Sequence, residues 1–397
     1  MTMIRRRFGR TGLEMPVLSC GGMRYQHSWK DSDAKGITSE SQANLEACIH
    51  RALEVGMNHI ETARGYGTSE IQLGQILPNL PRSEMIVQTK VTPAPVAEFR
   101  ATFDQSMENL HLGHVDLLSI HGINNRECWE ETIRPGGALE AARSIVHEGR
   151  ATFLGFSTHA PCELIEEVIA SEAFDYVNLH WYFLNQTNWK SIELAGQHDL
   201  GVFIISPTEK GGCFHQPSEK MISLCDPFSP IVLNDLFALL HPNVHTLSVG
   251  ASRPSDFDEH LKVLPLLEDH KTEAIVHSVT ARMEGEFLRV NGWPMPRRWD
   301  ADLPPFDLVS GGINLREIVR LWSLDRAFDM PAYGKLRYNL LGNGEHWFPG
   351  VNAADFDESV IMEIGKKSRF GECLPSILRE AHARFVDQPR NRLQIND

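Results

Sequence analysis

The sequence predicts an α/β fold, an eight-stranded parallel (β/α)8 barrel followed by a helical C-terminal module. Three observations carry that expectation. Short apolar runs alternate with amphipathic ones about eight times between residues 15 and 270, the pattern of parallel strands joined by helical crossovers. No Gly-rich turn follows an early strand, as an open doubly wound sheet would normally have. The text then changes character, with four prolines (294, 296, 304 and 305) marking an irregular connector.

Taken in order, residues 4–15, centred on Thr11 and Gly12, read as a hairpin ahead of the barrel. Strands are expected at residues 17–21, 58–63, 85–90, 115–121, 152–157, 176–180, 201–206 and 246–250. Between the first two, Leu45, Ile49, Ala52 and Leu53 recur at helical spacing. Ser41 is the expected N-cap of that helix and Gly56 its stop. Beyond the prolines, helices are expected at residues 315–327, 333–341 and 375–386. The chain therefore divides into a barrel over residues 1–280 and a helical module over 281–397.

Composition bounds the function. The 397 residues are 42% hydrophobic and 23% charged, with a formal net charge of −14. That balance suits a water-soluble protein and argues against nonspecific nucleic-acid or anionic-membrane binding, which needs basic patches. Arg5, Arg6 and Arg7 form the dense basic cluster, read as an exposed strand edge. Seven scattered cysteines without a C-x-x-C pair suit free thiols in a reducing compartment. No apolar stretch near the start resembles a signal sequence, so a cytoplasmic protein is expected.

Four polar residues fall at or just beyond expected strand ends: Glu61, Tyr66, Lys90 and His121. Each has a plain structural reading: Glu61 as a helix cap, Tyr66 as a loop aromatic, Lys90 as a solubilising charge, His121 as one of eighteen histidines. Their delivery to one rim by successive strands favours chemistry, because that rim is where such barrels build active sites. Reduction of a carbonyl leaves an alkoxide that needs a proton. A phenol, with a pKa of about 10, is a weak acid near neutrality unless a cation assists it. Lys90 supplies the cation, Glu61 holds it, and His121 orients the substrate oxygen. A metal-dependent hydrolase would need a carboxylate and histidine cluster at the later strand ends, which do not supply one.

The run GMNHIETARGYGTSE (residues 56–70) resembles the aldo/keto reductase signature G-x-N-x-x-D-T-A-x-x-Y-G-x-S-E. Phe8–Leu13, Gln88-Thr89-Lys90 and the 115–121 strand resemble further family segments, as do Leu154–Thr158, Ser206-Pro207 and Gly250–Pro254. The resemblance implies a TIM barrel that reduces a small aldehyde or ketone with NADP(H), without a metal. It implies Tyr66 as proton donor, Lys90 as its partner and His121 as the substrate-oxygen donor, with Glu61 where the family has aspartate. It places Gly22, Met23, Ser157, Thr158, Asn178, Ser206 and Pro207 along the cofactor. Ser252 and Arg253 would face the 2′-phosphate, with Glu259 and His260 near the adenine. Thr158 stands for the family's asparagine, Asn178 for its glutamine and Ile205 for a tyrosine that many members stack on nicotinamide. Those departures leave a second reading, a regulatory barrel that binds NADPH and turns over little.

The C-terminal text, notably residues 312–321, 333–339, 346–350 and 374–382, resembles a ferredoxin-like extension found in one subgroup of that family. There, cysteine runs hold [4Fe–4S] clusters. Here Val309 occupies the last cysteine of the first run and only Cys373 remains beyond residue 225, so no iron–sulfur cluster is expected. The His346-Trp347-Phe348-Pro349 cluster is read as packing rather than as a ligand lid.

Overall fold

The computed structural model describes residues 2–299 and 301–391. It divides into two compact units. The first comprises residues 1–182, 188–207 and 234–270, the second 183–187, 208–233 and 271–397. The division is thus not a single cut near residue 280, because two short stretches from within the barrel sequence group with the C-terminal residues.

The first unit opens with a hairpin, β1 (Arg5–Arg7) paired antiparallel with β2 (Glu14–Pro16). Eight strands follow: β3 (Leu18–Gly21), β4 (His59–Glu61), β5 (Ile86–Val91), β6 (Val115–His121), β7 (Ala151–Ser157), β8 (Tyr176–Leu179), β9 (Gly201–Ile204) and β10 (Thr246–Gly250). All pair in parallel with their sequence neighbours, and β10 closes on β3 to complete the barrel. This is the TIM-barrel architecture that the alternation predicts.

Phe8 and Met15 from the hairpin join Ile86, Leu117, Tyr176 and Phe203 in a buried cluster toward the N-terminal ends of the strands. A polar layer lies further along the same strands. Gln88 Nε2 donates to Ser119 Oγ at 2.9 Å, and Ser119 meets the Tyr176 hydroxyl at 3.0 Å. Across the barrel, Ser19 joins His59 Nδ1 (2.8 Å) and Thr246 (2.6 Å). The interior is therefore filled, and ligands are left to the C-terminal rim.

The helix after β3 runs Ser39–Glu54, earlier than its apolar spacing alone suggests. Its N-cap is Thr38, whose hydroxyl accepts from the Ser41 backbone N–H at 3.1 Å. Ser41, the expected cap, lies inside the first turn. Gly56 ends the helix at φ +85°, a left-handed conformation that suits glycine.

The second unit is helical, with Thr272–Asn291, Leu315–Phe328, Pro331–Tyr338, Glu358–Lys366 and Leu374–Phe385 as its longer elements. Phe287, Phe328 and Trp299 meet edge-on or tilted at 5.9–6.2 Å, and Trp293 stacks on Trp322 at 6.1 Å. A buried ionic chain crosses it. Arg320 pairs with Glu317 at 2.8 Å and donates to the Tyr333 hydroxyl, which donates to Glu209 at 2.9 Å. Phe348 is buried under the Arg337 guanidinium at 3.6 Å, so this part of the 346–349 cluster is packing. Among the described residues no single helix is long and apolar enough to cross a membrane.

Candidate active site

Parallel register brings the chemistry-bearing residues to one rim. Glu61 ends β4, Lys90 is next to last in β5, His121 ends β6 and Ser157 ends β7. His121 pairs with Ser157, and Ser157 with Asn178 of β8. Because side chains alternate along a strand, Gln88 and Lys90 point inward while Thr89 points out. Thr89 donates to Glu70 Oε1 at 2.6 Å, so the Glu70 of the motif braces the back of the strand. Burial pushes the Glu70 carboxyl up, and Thr89, Ser106 and Asn109 oppose that shift.

Tyr66 follows β4 on a turn that only a small residue allows. Gly67 has φ +54°, and a Cβ there would lie 2.0 Å from the Ser28 carbonyl oxygen. The turn folds the Tyr66 ring back over the barrel, against the edges of Trp29 (6.4 Å) and His121 (5.6 Å).

Three of the four expected residues form one hydrogen-bonded group, with His121 against it. Lys90 Nζ donates to Glu61 Oε1, to the Thr62 carbonyl at 2.9 Å and to the Tyr66 hydroxyl at 3.3 Å. The Tyr66 hydroxyl lies 3.3 Å from Glu61 Oε1, and Ser248 Oγ donates to Glu61 Oε2 at 3.2 Å. Lys90 and Glu61 are 1% and 2% exposed. Burial pulls the Lys90 ammonium well below its ordinary pKa. The carboxylate and the carbonyl on Nζ stabilise its charge against that pull. Ser248 was not foreseen from the sequence; Gly21 makes room for it, since a Cβ there would stand 2.5 Å from its hydroxyl.

The expected cofactor residues are placed unevenly. Gly22 is held tightly, a Cβ there meeting the Glu61 carbonyl at 2.5 Å, and Met23 is half-buried beside it. Ser157 Oγ accepts from the Gly122 N–H at 3.0 Å and keeps its own hydrogen to donate. Thr158 Oγ1 is already engaged, donating to Ile123 O at 2.7 Å and accepting from Ala160 N at 3.0 Å. Asn178 Oδ1 accepts from Gln88, while its buried Nδ2 has no hydrogen-bond partner among the described residues. Ser206 takes φ +58°, and the Pro207 carbonyl accepts from Asn234.

At the end of β10, the Ser252 N–H donates to Asp256 Oδ2 at 2.8 Å, and Arg253 Nε to Asp256 Oδ1 at 3.1 Å. Glu259 pairs with Lys262 at 2.6 Å. The structure does not bring His260 to the surface: its ring is wholly buried, with Nδ1 2.5 Å from Asp235 Oδ2. Among the described residues no three His, Cys, Asp or Glu side chains converge as metal ligands.

Known proteins resemble this chain in sequence over the barrel and in fold. A sequence model of the aldo/keto reductase family matches residues 17–227, more than half of the chain. Morphine 6-dehydrogenase of Pseudomonas putida is 33% identical over 187 residues, 45% of this chain and 60% of that protein. L-glyceraldehyde 3-phosphate reductase of Escherichia coli is 28% identical over 170 residues, 38% of this chain and 44% of that one. The chain thus spans about half the length of these curated relatives. An aldo-keto reductase from Klebsiella pneumoniae, solved in complex with NADPH, superposes with a TM-score of 0.55 at 18% identity. It covers 70% of this chain and 96% of that one, a likeness of fold. The family match, the closed barrel and the clustering of Glu61, Tyr66, Lys90 and His121 converge: this chain belongs to the aldo/keto reductase family.

Proposed function

We propose that the barrel reduces an aldehyde or ketone to an alcohol with NADPH, with Tyr66 as proton donor. One observation carries the reading: the Tyr66 hydroxyl lies within 3.3 Å of both Lys90 Nζ and Glu61 Oε1 on the barrel rim. A nicotinamide bound along this rim would supply the hydride. Tyr66 gives its proton to the alkoxide oxygen, and Lys90 Nζ stabilises the phenolate left behind. Glu61, held by Ser248, keeps Lys90 charged and aimed, and His121 orients the carbonyl oxygen.

The residues present fit such a cofactor. Asn178 Nδ2 is a buried donor awaiting an acceptor, beside Ser157 with its free hydroxyl hydrogen, and a carboxamide offers both an acceptor and donors. Gly22, Met23, Ser206 and Pro207 belong to the same rim by strand order, and Thr158 contributes shape rather than its engaged hydroxyl. Ser252 and Arg253 are assigned to the 2′-phosphate and Glu259 to the adenine side, where His260 supports the wall from behind through Asp235.

For residues 281–397 we propose a degenerate ferredoxin-like module without an iron–sulfur cluster. Cys373 is the sole cysteine of that stretch, and one thiolate cannot hold four irons.

The direct test is a panel of aldehydes and ketones, following NADPH absorbance and alcohol formation. The expected result is one alcohol formed per NADPH oxidised on at least one carbonyl class. Tight NADPH binding without turnover on any panel member would instead support the regulatory barrel.

A further inference from the structure

The proposed 2′-phosphate site has a second arginine that its local sequence does not announce. Arg24 lies 228 positions from Ser252, yet its Nε donates to Ser252 Oγ at 3.2 Å. Its aliphatic stem crosses the last residue of β10: a Cβ on Gly250 would stand 3.1 Å from Arg24 Cδ and 3.4 Å from Cγ. The glycine therefore opens the path that brings this guanidinium to Ser252. We propose that Arg24 reads the adenosine 2′-phosphate and sets the preference for NADPH over NADH, an assignment that rests on the cofactor reading above.

Two features favour Arg24 over Arg253 in this role. Arg24 is half-buried, and its Nη1 is shielded from solvent with no hydrogen-bond partner among the described residues. A shielded guanidinium nitrogen without an acceptor is costly unless a ligand supplies one. Arg253, by contrast, is 74% exposed and its Nε is occupied by Asp256, so its charge is screened by solvent and opposed by its partner. Asp256 also faces Arg24 electrostatically. Two guanidiniums against one carboxylate leave a net positive charge for a dianionic phosphate. Arginine's planar fork suits such an oxygen cluster and can hold it by two parallel bonds.

The experiment measures dissociation constants for NADPH and NADH on the full-length chain by quenching of intrinsic fluorescence. Wild type, Arg24→Met, Arg24→Lys and Arg253→Met are compared. A charge-assisted bond to phosphate corresponds to about 10- to 100-fold in affinity. Arg24→Met is therefore expected to weaken NADPH by that factor while NADH changes less than about 2-fold, which also shows the site intact. Arg24→Lys should retain most of the preference, and Arg253→Met, at the exposed and already paired guanidinium, should weaken NADPH by a smaller factor than Arg24→Met does. Equal losses for both cofactors in Arg24→Met, or an unchanged ratio, would overturn the Arg24 assignment and leave the cofactor reading standing. Wild-type protein that binds neither dinucleotide would overturn both.

Discussion

Glu61 has two carboxylate oxygens and three neighbours on them: Lys90 and Tyr66 on Oε1, Ser248 on Oε2. The extra methylene relative to aspartate is accommodated because Ser248 receives the far oxygen and Gly21 leaves space for it. Glu61→Asp should shorten the reach to Ser248 while retaining the ion pair. Because the lost contact is one neutral hydroxyl bond, a loss of kcat within about 10-fold is expected. Steady-state kinetics on a verified substrate would check this, and a loss beyond about 100-fold would show that Lys90 depends on the longer arm. At this scale the sequence exposed what lies at strand ends, since Glu61, Lys90 and His121 could be placed by alternation and Tyr66 by its motif. Ser248 and Arg24 escaped, because their partners are 187 and 228 positions away. No local pattern encodes such contacts. Burial of the His260 ring escaped for the same reason, its partner Asp235 lying on another helix.

Strands were the most legible elements. All eight were foreseen, β6 and β10 with their observed bounds, because strands buried in a parallel barrel read as short apolar runs between turn signals. Helices were read less evenly. Thr38 caps the first long helix in place of Ser41 because the turn needs a hydroxyl three residues before the donated N–H, and Ser41 is itself that donor. The twenty-residue helix Thr272–Asn291 was not foreseen. Its buried face runs through Thr272, Val276, Val279, Thr280, Met283, Phe287 and Asn291, and polar members at that spacing blur the apolar stripe. In the second unit, the helix foreseen at 333–341 instead starts at Pro331, whose fixed φ suits a first turn, and ends at Tyr338. The Glu209–Tyr333–Arg320–Glu317 chain there was invisible to sequence reading, since charged residues on an amphipathic pattern are ordinarily assigned to solvent.

On the scale of the molecule, the barrel's stability should depend on pH through histidines kept neutral in its interior. Burial, with the charge of Lys90, pushes His59 down to about 3 from 6.5, and burial pushes His245 down to about 4. Both resist protonation when folded and accept a proton once unfolded. Their contribution is therefore complete above pH 6.5 and declines as pH falls toward the folded values. For His59 the loss is at most about 5 kcal/mol. Thermal melts of wild type and His59→Gln from neutral to about pH 4.5 are expected to show a shallower fall of Tm with acid in the variant. Parallel curves would contradict this account of His59.

The central claim is that Tyr66 is the general acid of a carbonyl reductase. Tyr66→Phe removes the transferable proton and leaves the ring edges against Trp29 and His121 in place. The most direct measurement is kcat for Tyr66→Phe beside wild type on one verified carbonyl substrate, with the NADPH dissociation constant recorded for both. The account predicts a fall in kcat of about 10²- to 10⁴-fold with NADPH affinity nearly unchanged, because the phenol acts on the substrate oxygen. A variant that retains near-normal turnover would contradict the mechanism while leaving the fold and the family untouched.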